Sequence, residues 1–319
     1  MANPPEIFRI SASEADQRLD RYLVQKLSLS RKRVKALLDR GKIFINGHKV
    51  VIASWEVNQG DKLQVFSERS EEDPSQTKPQ FLKVAYEDSD LLIVEKDAGI
   101  PCEKSPVAWR PSMVAMVNQY LKKTHPHLPA HYVGLVHRLD TDTSGLLIYT
   151  KTKEANKITE QFKKRTVVRK YLALVEGRVE GEKKVLEGYL AQANLPGGKK
   201  IKLVPKGKGK RAVTTYTVLE RYGKATLLEI SIKTGRTHQI RVQLAAIRHP
   251  ILGDRIYGST ASRDGSSFKR QALHANTLCF RHPVTGKKIE LISEPPRDFR
   301  RLIDRLREGW STQGRFAQG

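Results

Sequence analysis

Cysteine is scarce in this sequence. Only Cys102 and Cys279 are present among 319 residues, and they lie far apart in the chain. This scarcity excludes a zinc ribbon and a disulfide framework, and it suits a reducing cytoplasm. We also predict no metal site among the nine histidines.

Long apolar runs are also missing. No stretch approaches the roughly 20 residues that a membrane-spanning helix needs, and the N-terminal segment shows neither a signal sequence nor a transit peptide. There is no Gly-rich strand-to-helix turn of the P-loop or dinucleotide-binding type. We therefore expect a cytoplasmic protein that has no membrane segment and needs no nucleotide or other cofactor.

Acidic residues are outnumbered by basic ones. The sequence has 58 Lys and Arg against 34 Asp and Glu, which gives a formal net charge of +24. A polyanion is the expected partner of such a chain, and nucleic acid is the commonest polyanion. An apolar content of 39% indicates a folded chain, and its length allows two domains. Charge alone does not separate an enzyme from a binding protein.

The composition changes at residues 67–80, "SERSEEDPSQTKPQ", which contain no aliphatic residue. We predict that this stretch is a linker between a small domain, residues 1–66, and a larger one, residues 81–304, which is followed by a C-terminal tail, residues 305–319. In the larger domain, we predict helices at residues 112–124 and at about 153–165. Predicted strands outnumber the helices, and short turns join many of them. This pattern predicts an α+β fold with a mostly antiparallel sheet and flanking helices.

The small domain contains a strongly basic predicted helix. Ser30 is a plausible N-cap, Gly41 is placed to end the helix, and Asn46-Gly47 suits the type I′ turn of a β-hairpin that follows. The exposed face could bind phosphates, although most runs of charge are ordinary solvated faces.

The segment from Arg18 to Phe66 resembles the S4 RNA-binding domain. It contains that family's R-L-D opening, a Ser-Arg before the second helix and a V/I-x-N-G hairpin. The resemblance implies that this domain anchors structured RNA and carries no chemistry. The residues that it implies for RNA contact are Arg18, Arg21, Arg31, Lys32, Arg33 and Lys35.

The stretch "HRLDTDTSGLLIYT" places two carboxylates directly before an apolar strand. Asp140 and Asp142 could form an acid pair for glycosidic hydrolysis. Alternatively, Asp140 caps a turn through Thr143 and Ser144, which is a frequent role for Asp before small hydroxylated residues. No G-x-S-x-G surrounds Ser144, so a hydrolase nucleophile has little support.

The larger domain as a whole resembles the RluA-type pseudouridine synthases. "HRLDTDTSGLL" matches the family's H-R-L-D-x-x-T-S-G-L signature, "RKYLALVEG" its K-x-Y segment, and "KTGRTHQIR" its T-G-R-x-H-Q-I-R motif, followed by "GDRIYG". With the S4 segment, the resemblance extends from Arg18 to about Phe299. It implies a cofactor-independent enzyme that isomerises uridine to pseudouridine in RNA.

The resemblance assigns roles to individual residues. Asp140 corresponds to the aspartate that attacks the target uridine, and Arg241 to the arginine that pairs with it, where a bidentate contact is possible. Tyr171 corresponds to the tyrosine that stacks on the uracil and serves as a candidate base. Arg138 would enter the RNA helix where the target nucleotide has flipped out, with Arg236 and His238 as supporting residues.

Other features affect the choice of substrate. The charged, Gly-containing segment 199–211 is expected to be a flexible loop that faces RNA. Three positions depart from the family pattern: Asp97 replaces the Pro of K-P-x-G, Gln243 a frequent His, and Arg248 a frequent Gly. They bear on the target site more than on the chemistry.

We expect a monomeric pseudouridine synthase that acts on 23S ribosomal RNA, because an S4 domain and a net charge of +24 occur together. Transfer RNA is the alternative substrate. Two other classes stay open: a non-catalytic RNA-binding or ribosome-assembly protein, and a nucleoside hydrolase that uses Asp140 with Asp142.

Overall fold

Two regions of the chain fold as separate units. The computed structural model describes residues 5–66, 82–103, 112–126, 132–195, 198–258, 268 and 270–314. The N-terminal unit includes residues 1–81, and the larger unit is formed by Leu82–Cys102 and Met113–Gly319. The predicted linker, residues 67–80, lies outside the described residues.

The N-terminal unit combines two short helices with short strands. Strands β1, β6, β3 and β4 form one sheet in that order, and β2 pairs with β5. Asn46 and Gly47 both have positive φ, 51° and 75°, as the predicted type I′ turn requires. The elements are β1 (Glu6–Arg9), β2 (Gln17–Arg18), α1 (Leu19–Leu27), α2 (Arg31–Asp39), β3 (Ile43–Ile45), β4 (His48–Lys49), β5 (Glu56–Val57) and β6 (Lys62–Val65).

Helix α2 has one apolar and one basic face. Its start is capped as predicted, because the hydroxyl of Ser30 accepts a hydrogen bond from the backbone N–H of Arg33 at 3.3 Å. The apolar side chains of α1 and α2 pack with the strands into one core, which leaves the cations of α2 exposed. The principal core residues are Leu19, Tyr22, Leu23, Val34, Leu37, Leu38, Ile43, Ile45 and Leu63.

The larger unit is dominated by strands, as the sequence predicts. Helices at 113–124 and 158–164 confirm two predicted helices, whereas the helix at 239–246 was not predicted. Its elements are β7 (Lys83–Glu87), β8 (Leu91–Lys96), α3 (Met113–Thr124), β9 (Gly134–Leu135), β10 (Ser144–Thr150), α4 (Ile158–Lys164), β11 (Val168–Glu176), β12 (Lys183–Leu195), β13 (Gly198–Val204), β14 (Lys210–Tyr222), β15 (Ala225–Ile232), α5 (Gln239–Ala246), β16 (Leu273–Arg281), β17 (Lys288–Ile292) and α6 (Arg297–Gly314).

These strands form an 11-stranded mixed sheet with the order β13-β12-β14-β15-β11-β16-β10-β8-β7, while β17 pairs with β16 and β9 with β10. Strands β10 and β16 are parallel, and the other pairs described in this sheet are antiparallel. The parallel pair is close at Gly145, where a Cβ would lie 2.2 Å from the carbonyl oxygen of Ala275. This approach brings the start of β10, and the loop before it, to the middle of the sheet.

Helix α6 packs its apolar side against the core of the larger unit through Phe299 and Ile303. It continues through residue 305, the predicted start of the tail, as far as Gly314. Within the described ranges, no helix combines the length and apolarity that crossing a bilayer would require.

Candidate active site

Asp140 lies on the irregular segment between β9 and β10. The backbone N–H of Thr143 donates to the Asp140 carbonyl at 3.0 Å, which forms a tight turn around the aspartate. The Asp140 side chain is 23% exposed. It is therefore held by local structure yet accessible to a bound molecule.

Two buried polar side chains, Lys96 and Cys102, hold this turn through hydrogen bonds to its backbone. The Lys96 ammonium is buried and donates to three carbonyl oxygens, those of Asp97, Ile100 and, at 2.7 Å, Thr141. Burial lowers the pKa of Lys96 to about 8. The thiol of Cys102 bonds both backbone groups of Leu139, accepting from its N–H and donating to its carbonyl. The backbone on both sides of Asp140 is thus held in place.

Arg241 is the cation nearest to Asp140. Its Nη1 donates to Oδ2 of Asp140 at 2.9 Å, and its side chain is only 5% exposed. Burial by itself lowers the pKa of Arg241, but Asp254 and Asp140 outweigh it and raise the pKa above its usual value. The guanidinium is therefore charged at any working pH.

One detail of the predicted pair is wrong. A bidentate contact of Arg241 with Asp140 was possible from the sequence, but only one nitrogen reaches that carboxylate. The bidentate partner is Asp254, which accepts from Nε at 2.7 Å and from Nη2 at 2.9 Å. Arg241 lies on α5, so its direction depends on how that helix packs.

His238 is the second basic side chain beside Asp140. Its Nε2 lies 3.9 Å from Oδ2 of Asp140, and its Nδ1 lies 2.9 Å from the hydroxyl of Tyr257. Burial and the charge of Arg241 lower the pKa of His238 despite the opposing effect of Asp140. His238 is accordingly a neutral ring at pH 7, a hydrogen-bonding group rather than a cation.

Tyr171 is buried in β11, where the register with β16 shifts between Lys170 and Tyr171. Burial raises the pKa of Tyr171, and the charge of Asp140 adds to this rise. The phenol is thus protonated at neutral pH. Of the three residues with predicted catalytic roles, Asp140 and Arg241 are in direct contact, and Tyr171 is buried on β11.

The predicted RNA-contact residues of this unit are partly exposed. Arg138 is exposed two residues before Asp140. Arg236 is exposed next to α5, and its Nε donates to the carbonyl of Arg211 at 3.2 Å. His238 differs from both because its ring is mostly buried and hydrogen-bonded.

The prediction of a flexible loop at residues 199–211 is wrong. Most of it is regular, because β13 extends to Val204 and β14 begins at Lys210, and both strands pair with β12. The charges are still exposed at Lys202, Lys206 and Lys208. The N–H of Ile201 donates to the Tyr257 hydroxyl at 3.1 Å, which places β13 next to the site.

In the N-terminal unit, the six predicted RNA-contact residues are all exposed. Two have partners within the unit: Arg18 pairs with Asp20 at 2.7 Å and Lys35 pairs with Asp39 at 2.7 Å. The other four are Arg21, Arg31, Lys32 and Arg33, and the last three project from the first turn of α2.

A cluster of Asp88, Asp90 and His282 has ligand atoms close enough to hold a cation. Its hydrogen bonds oppose this reading. Nδ1 of His282 accepts from two backbone N–H groups, those of Val284 and Thr285, so the proton of the neutral ring is on Nε2. That nitrogen lies 3.0 Å from Asp88 and has no lone pair to offer a metal.

The departures from the family pattern have local explanations. Arg248, at a frequent Gly position, has a φ of 64°, the region that Gly adopts most easily. Gln243 is buried, accepts from Thr214, and donates to the carbonyls of Leu186 and Ala212. Asp97 pairs with Lys83 at 2.9 Å. None of these contacts involves Asp140.

Three residues of the site, Lys96, Asp254 and Tyr257, have no role predicted from the sequence. Lys96 is the Lys at the start of the K-P-x-G position, and Asp254 and Tyr257 belong to "GDRIYG". Each lies far from Asp140 in the sequence. The available signal was an Asp and a Tyr between two glycines, which indicates a shaped turn but not its neighbours.

Comparison with known proteins gives a family match for each of the two units. Residues 90–246 match the family described as RNA pseudouridylate synthase, and residues 17–63 match the S4 domain. The uncharacterized RNA pseudouridine synthase YlyB of Bacillus subtilis is 33% identical over 303 residues, which cover 94% of this chain and 98% of that protein. Ribosomal large subunit pseudouridine synthase D of Haemophilus ducreyi is 34% identical over 310 residues, with 93% of each chain covered.

Solved structures agree on the fold. The human protein titled RNA Pseudouridylate Synthase Domain Containing 4 superposes with a TM-score of 0.59 at 24% identity, covering 70% of this chain and 93% of that chain. The predicted resemblances are thereby confirmed. The chain belongs to the RNA pseudouridine synthase family and carries an S4 domain at its N-terminal end.

Proposed function

We propose that this enzyme converts uridines of 23S ribosomal RNA into pseudouridine through Asp140. The observation that carries the proposal is the 2.9 Å contact between Asp140 and the buried guanidinium of Arg241. A fixed, permanently charged partner keeps a carboxylate ionised in a partly buried site. Relatives named ribosomal large subunit pseudouridine synthase D support the choice of ribosomal RNA.

The reaction needs few protein groups. The N1–C1′ bond breaks, the uracil turns within the site, and a C5–C1′ bond forms while C5 loses a proton and N1 gains one. Attack at C1′, attack at C6 and removal of a sugar proton all require an ionised carboxylate held against the nucleoside. Asp140 supplies it, and Tyr171 stacks on the turning uracil. Because burial raises the pKa of the Tyr171 phenol, that phenol keeps its own proton, and the C5 proton is lost to water.

The target nucleotide must leave its helix to reach these groups, because a stacked base hides the reacting atoms. Arg138 is exposed next to Asp140 and fills the space that the nucleotide leaves, while Arg236 and His238 contact its surroundings. The basic segment between β13 and β14 binds RNA backbone nearby. No cofactor takes part in these steps.

The N-terminal domain, residues 1–66, anchors the RNA. Its exposed cations are suited to phosphates and to the shape of an A-form helix rather than to base edges. The catalytic domain begins at residue 81 and includes α6. We place this protein in the cytoplasm as a monomer, in keeping with its two unpaired cysteines.

Tritium release from [5-³H]uridine-labelled RNA tests the proposal, since forming the C5–C1′ bond expels the label. Naked and ribosomal 23S, 16S and transfer RNA fractions are compared. We expect release from the 23S fraction by the wild type, and a loss of at least about 1,000-fold in Asp140→Asn, which removes the ionised group.

Asp142→Asn is the matched control, because it neutralises the neighbouring carboxylate and should retain release. Release from transfer RNA alone would overturn the ribosomal substrate and keep the chemistry. Free uracil in the products would indicate a nucleoside hydrolase. No release from any fraction would favour an RNA-binding protein without activity.

A further inference from the structure

Asp254 is a fully buried carboxylate for which the proposed chemistry has no direct role. Its side chain is 0% exposed. It begins a turn between α5 and β16, in which the N–H of Gly258 donates to the Asp254 carbonyl at 2.9 Å. The close approach requires glycine, because a Cβ at Gly258 would lie 2.3 Å from that carbonyl oxygen. A buried charge is costly unless its neighbours satisfy it.

The two oxygens of Asp254 are well satisfied. Oδ2 accepts from Nε of Arg241 at 2.7 Å. Oδ1 accepts from Nη2 of Arg241 at 2.9 Å and from the backbone N–H groups of Ile256 and Tyr257 at 2.9 and 3.1 Å. Burial by itself raises the pKa of Asp254, but Arg241 and these N–H groups outweigh it and lower the pKa. Asp254 is therefore ionised, and hydrogen bonds hold both of its carboxylate oxygens.

This double contact decides which part of Arg241 reaches Asp140. Two parallel hydrogen bonds hold the plane of the guanidinium and leave Nη1 as the nitrogen that donates to Asp140 at 2.9 Å. Asp254 is 13 residues from Arg241 in the chain, whereas Asp140 is 101 residues away. The contact with Asp254 is therefore the more local of the two in the chain, and it holds Arg241 at two points.

The same turn also fixes the second basic group. The centre of the Tyr257 ring lies 5.2 Å from the guanidinium carbon of Arg241, and the Tyr257 hydroxyl lies 2.9 Å from Nδ1 of His238. Tyr257 is itself positioned by its N–H bond to Asp254. One turn thus fixes the two basic side chains that face Asp140.

We propose that Asp254 and Tyr257 are positioning residues of the isomerisation: Asp254 acts through Arg241, and Tyr257 through His238, to hold the Asp140 carboxylate in its reactive orientation. Neither residue contacts the substrate. This inference rests on the proposed role of Asp140. It goes further because it makes the rate depend on a carboxylate that the uridine never touches.

Asp254→Asn tests the first arm. The amide keeps one oxygen for the turn but places an N–H₂ opposite a guanidinium donor, so Arg241 loses its fixed plane. We expect the single-turnover rate constant for tritium release to fall at least about tenfold, while the Kd for 23S RNA changes less than about twofold. Glu220→Gln is the matched control, since it breaks a bidentate pair with Arg307 that has no contact with Asp140. It should keep the wild-type rate.

A double-mutant cycle separates positioning from stability. In an Arg241→Gln background there is no guanidinium to orient, so adding Asp254→Asn should change the rate constant less than about twofold. If the two losses multiply instead, Asp254 acts independently of Arg241 and the inference is overturned. A wild-type rate in Asp254→Asn alone would overturn it as well.

Tyr257→Phe tests the second arm and keeps the buried pair intact, so it stays informative if Asp254→Asn fails to fold. It removes only the hydroxyl from His238 and Ile201. We expect the rate constant to fall about two- to fivefold at unchanged Kd, and an unchanged rate would refute the Tyr257 arm. Asp140→Asn is measured in parallel. Should that variant be active, the proposed site fails; should it be inactive while Asp254→Asn and Tyr257→Phe are normal, only this inference fails.

Discussion

The cations of helix α2 and the guanidinium of Arg241 carry the same charge in opposite surroundings. Arg31, Lys32 and Arg33 project from the first turn of α2 and are exposed. Arg241 is 5% exposed and contacts two carboxylates, Asp140 and Asp254. Exposed charges are screened by salt and act nearly independently, whereas a buried charge and its partners stabilise one another and cannot be removed singly without cost.

The contrast explains why the two regions serve different purposes. A surface for RNA backbone needs many weak, interchangeable contacts, each of which releases counterions. A reacting carboxylate needs one partner with a fixed distance and direction. Similar residue types therefore suit the proposed binding surface in one unit and the proposed reactive site in the other.

Removing one positive charge from each region should give the largest difference between them in stability and in activity. Arg241→Gln leaves Asp140 and Asp254 without their shared partner, so we expect a loss of about 3–5 kcal/mol in the free energy of unfolding. We also expect the rate constant for tritium release to fall about 100-fold, to a level that single-turnover assays still measure. Arg31→Gln should change stability by less than about 0.5 kcal/mol. Urea unfolding of both variants, with the release assay, checks the comparison. Equal stability losses would contradict it.

Buried groups should also respond to pH. His137 accepts from the N–H of Ile148 and stacks on Phe162, and burial together with Arg169 lowers its pKa to about 3. The unfolded chain, with an ordinary pKa near 6.5, binds this proton more readily. Its contribution to stability is thus complete above about pH 6.5 and is lost as the pH falls toward 3.

Between pH 7 and pH 5, this one residue should remove about 2 kcal/mol of stability. His137→Gln keeps an acceptor for the N–H of Ile148 and removes the titrating group. Between pH 7 and pH 5, the free energy of unfolding of this variant should therefore fall by about 2 kcal/mol less than that of the wild type. Urea unfolding followed by circular dichroism at both values measures the difference. An identical loss in the two proteins would show that His137 is not the group responsible.

Exposed cations should respond to salt instead. The triple variant Arg31→Gln, Lys32→Gln, Arg33→Gln should bind 23S RNA about three- to tenfold more weakly and reduce the slope of log K against log salt by about 2–3. A control triple with the same charge change uses Lys122, Lys123 and Lys224, which are exposed on the larger unit. It should have a smaller effect. Equal slopes for the wild type and the α2 variant would remove the proposed anchor role.

Much of the fold could be predicted from local patterns. The Ser30 cap, the Asn46-Gly47 turn and helix α3 each depend on neighbouring residues, and the structure confirms all three. The segment 199–211 was mispredicted because its charge suggested a loop, whereas strand pairing with β12 gave its backbone regular partners. Helix α5 was missed because its residues are mostly buried, so no polar face marks it.

The sequence by itself determined the α+β class, the basic helix, and the motifs that contain Asp140, Tyr171 and Arg241, since these are properties of residues close together in the chain. Only the tertiary structure decided which carboxylate binds Arg241 at two points and that Tyr257 supports His238. Of the two carboxylates, Asp254 is the nearer to Arg241 in the chain, and it forms the bidentate contact. This leaves one nitrogen of Arg241 for Asp140, 101 residues away. That choice depends on how α5 and the Asp254 turn pack, a geometry that no local pattern of residues encodes.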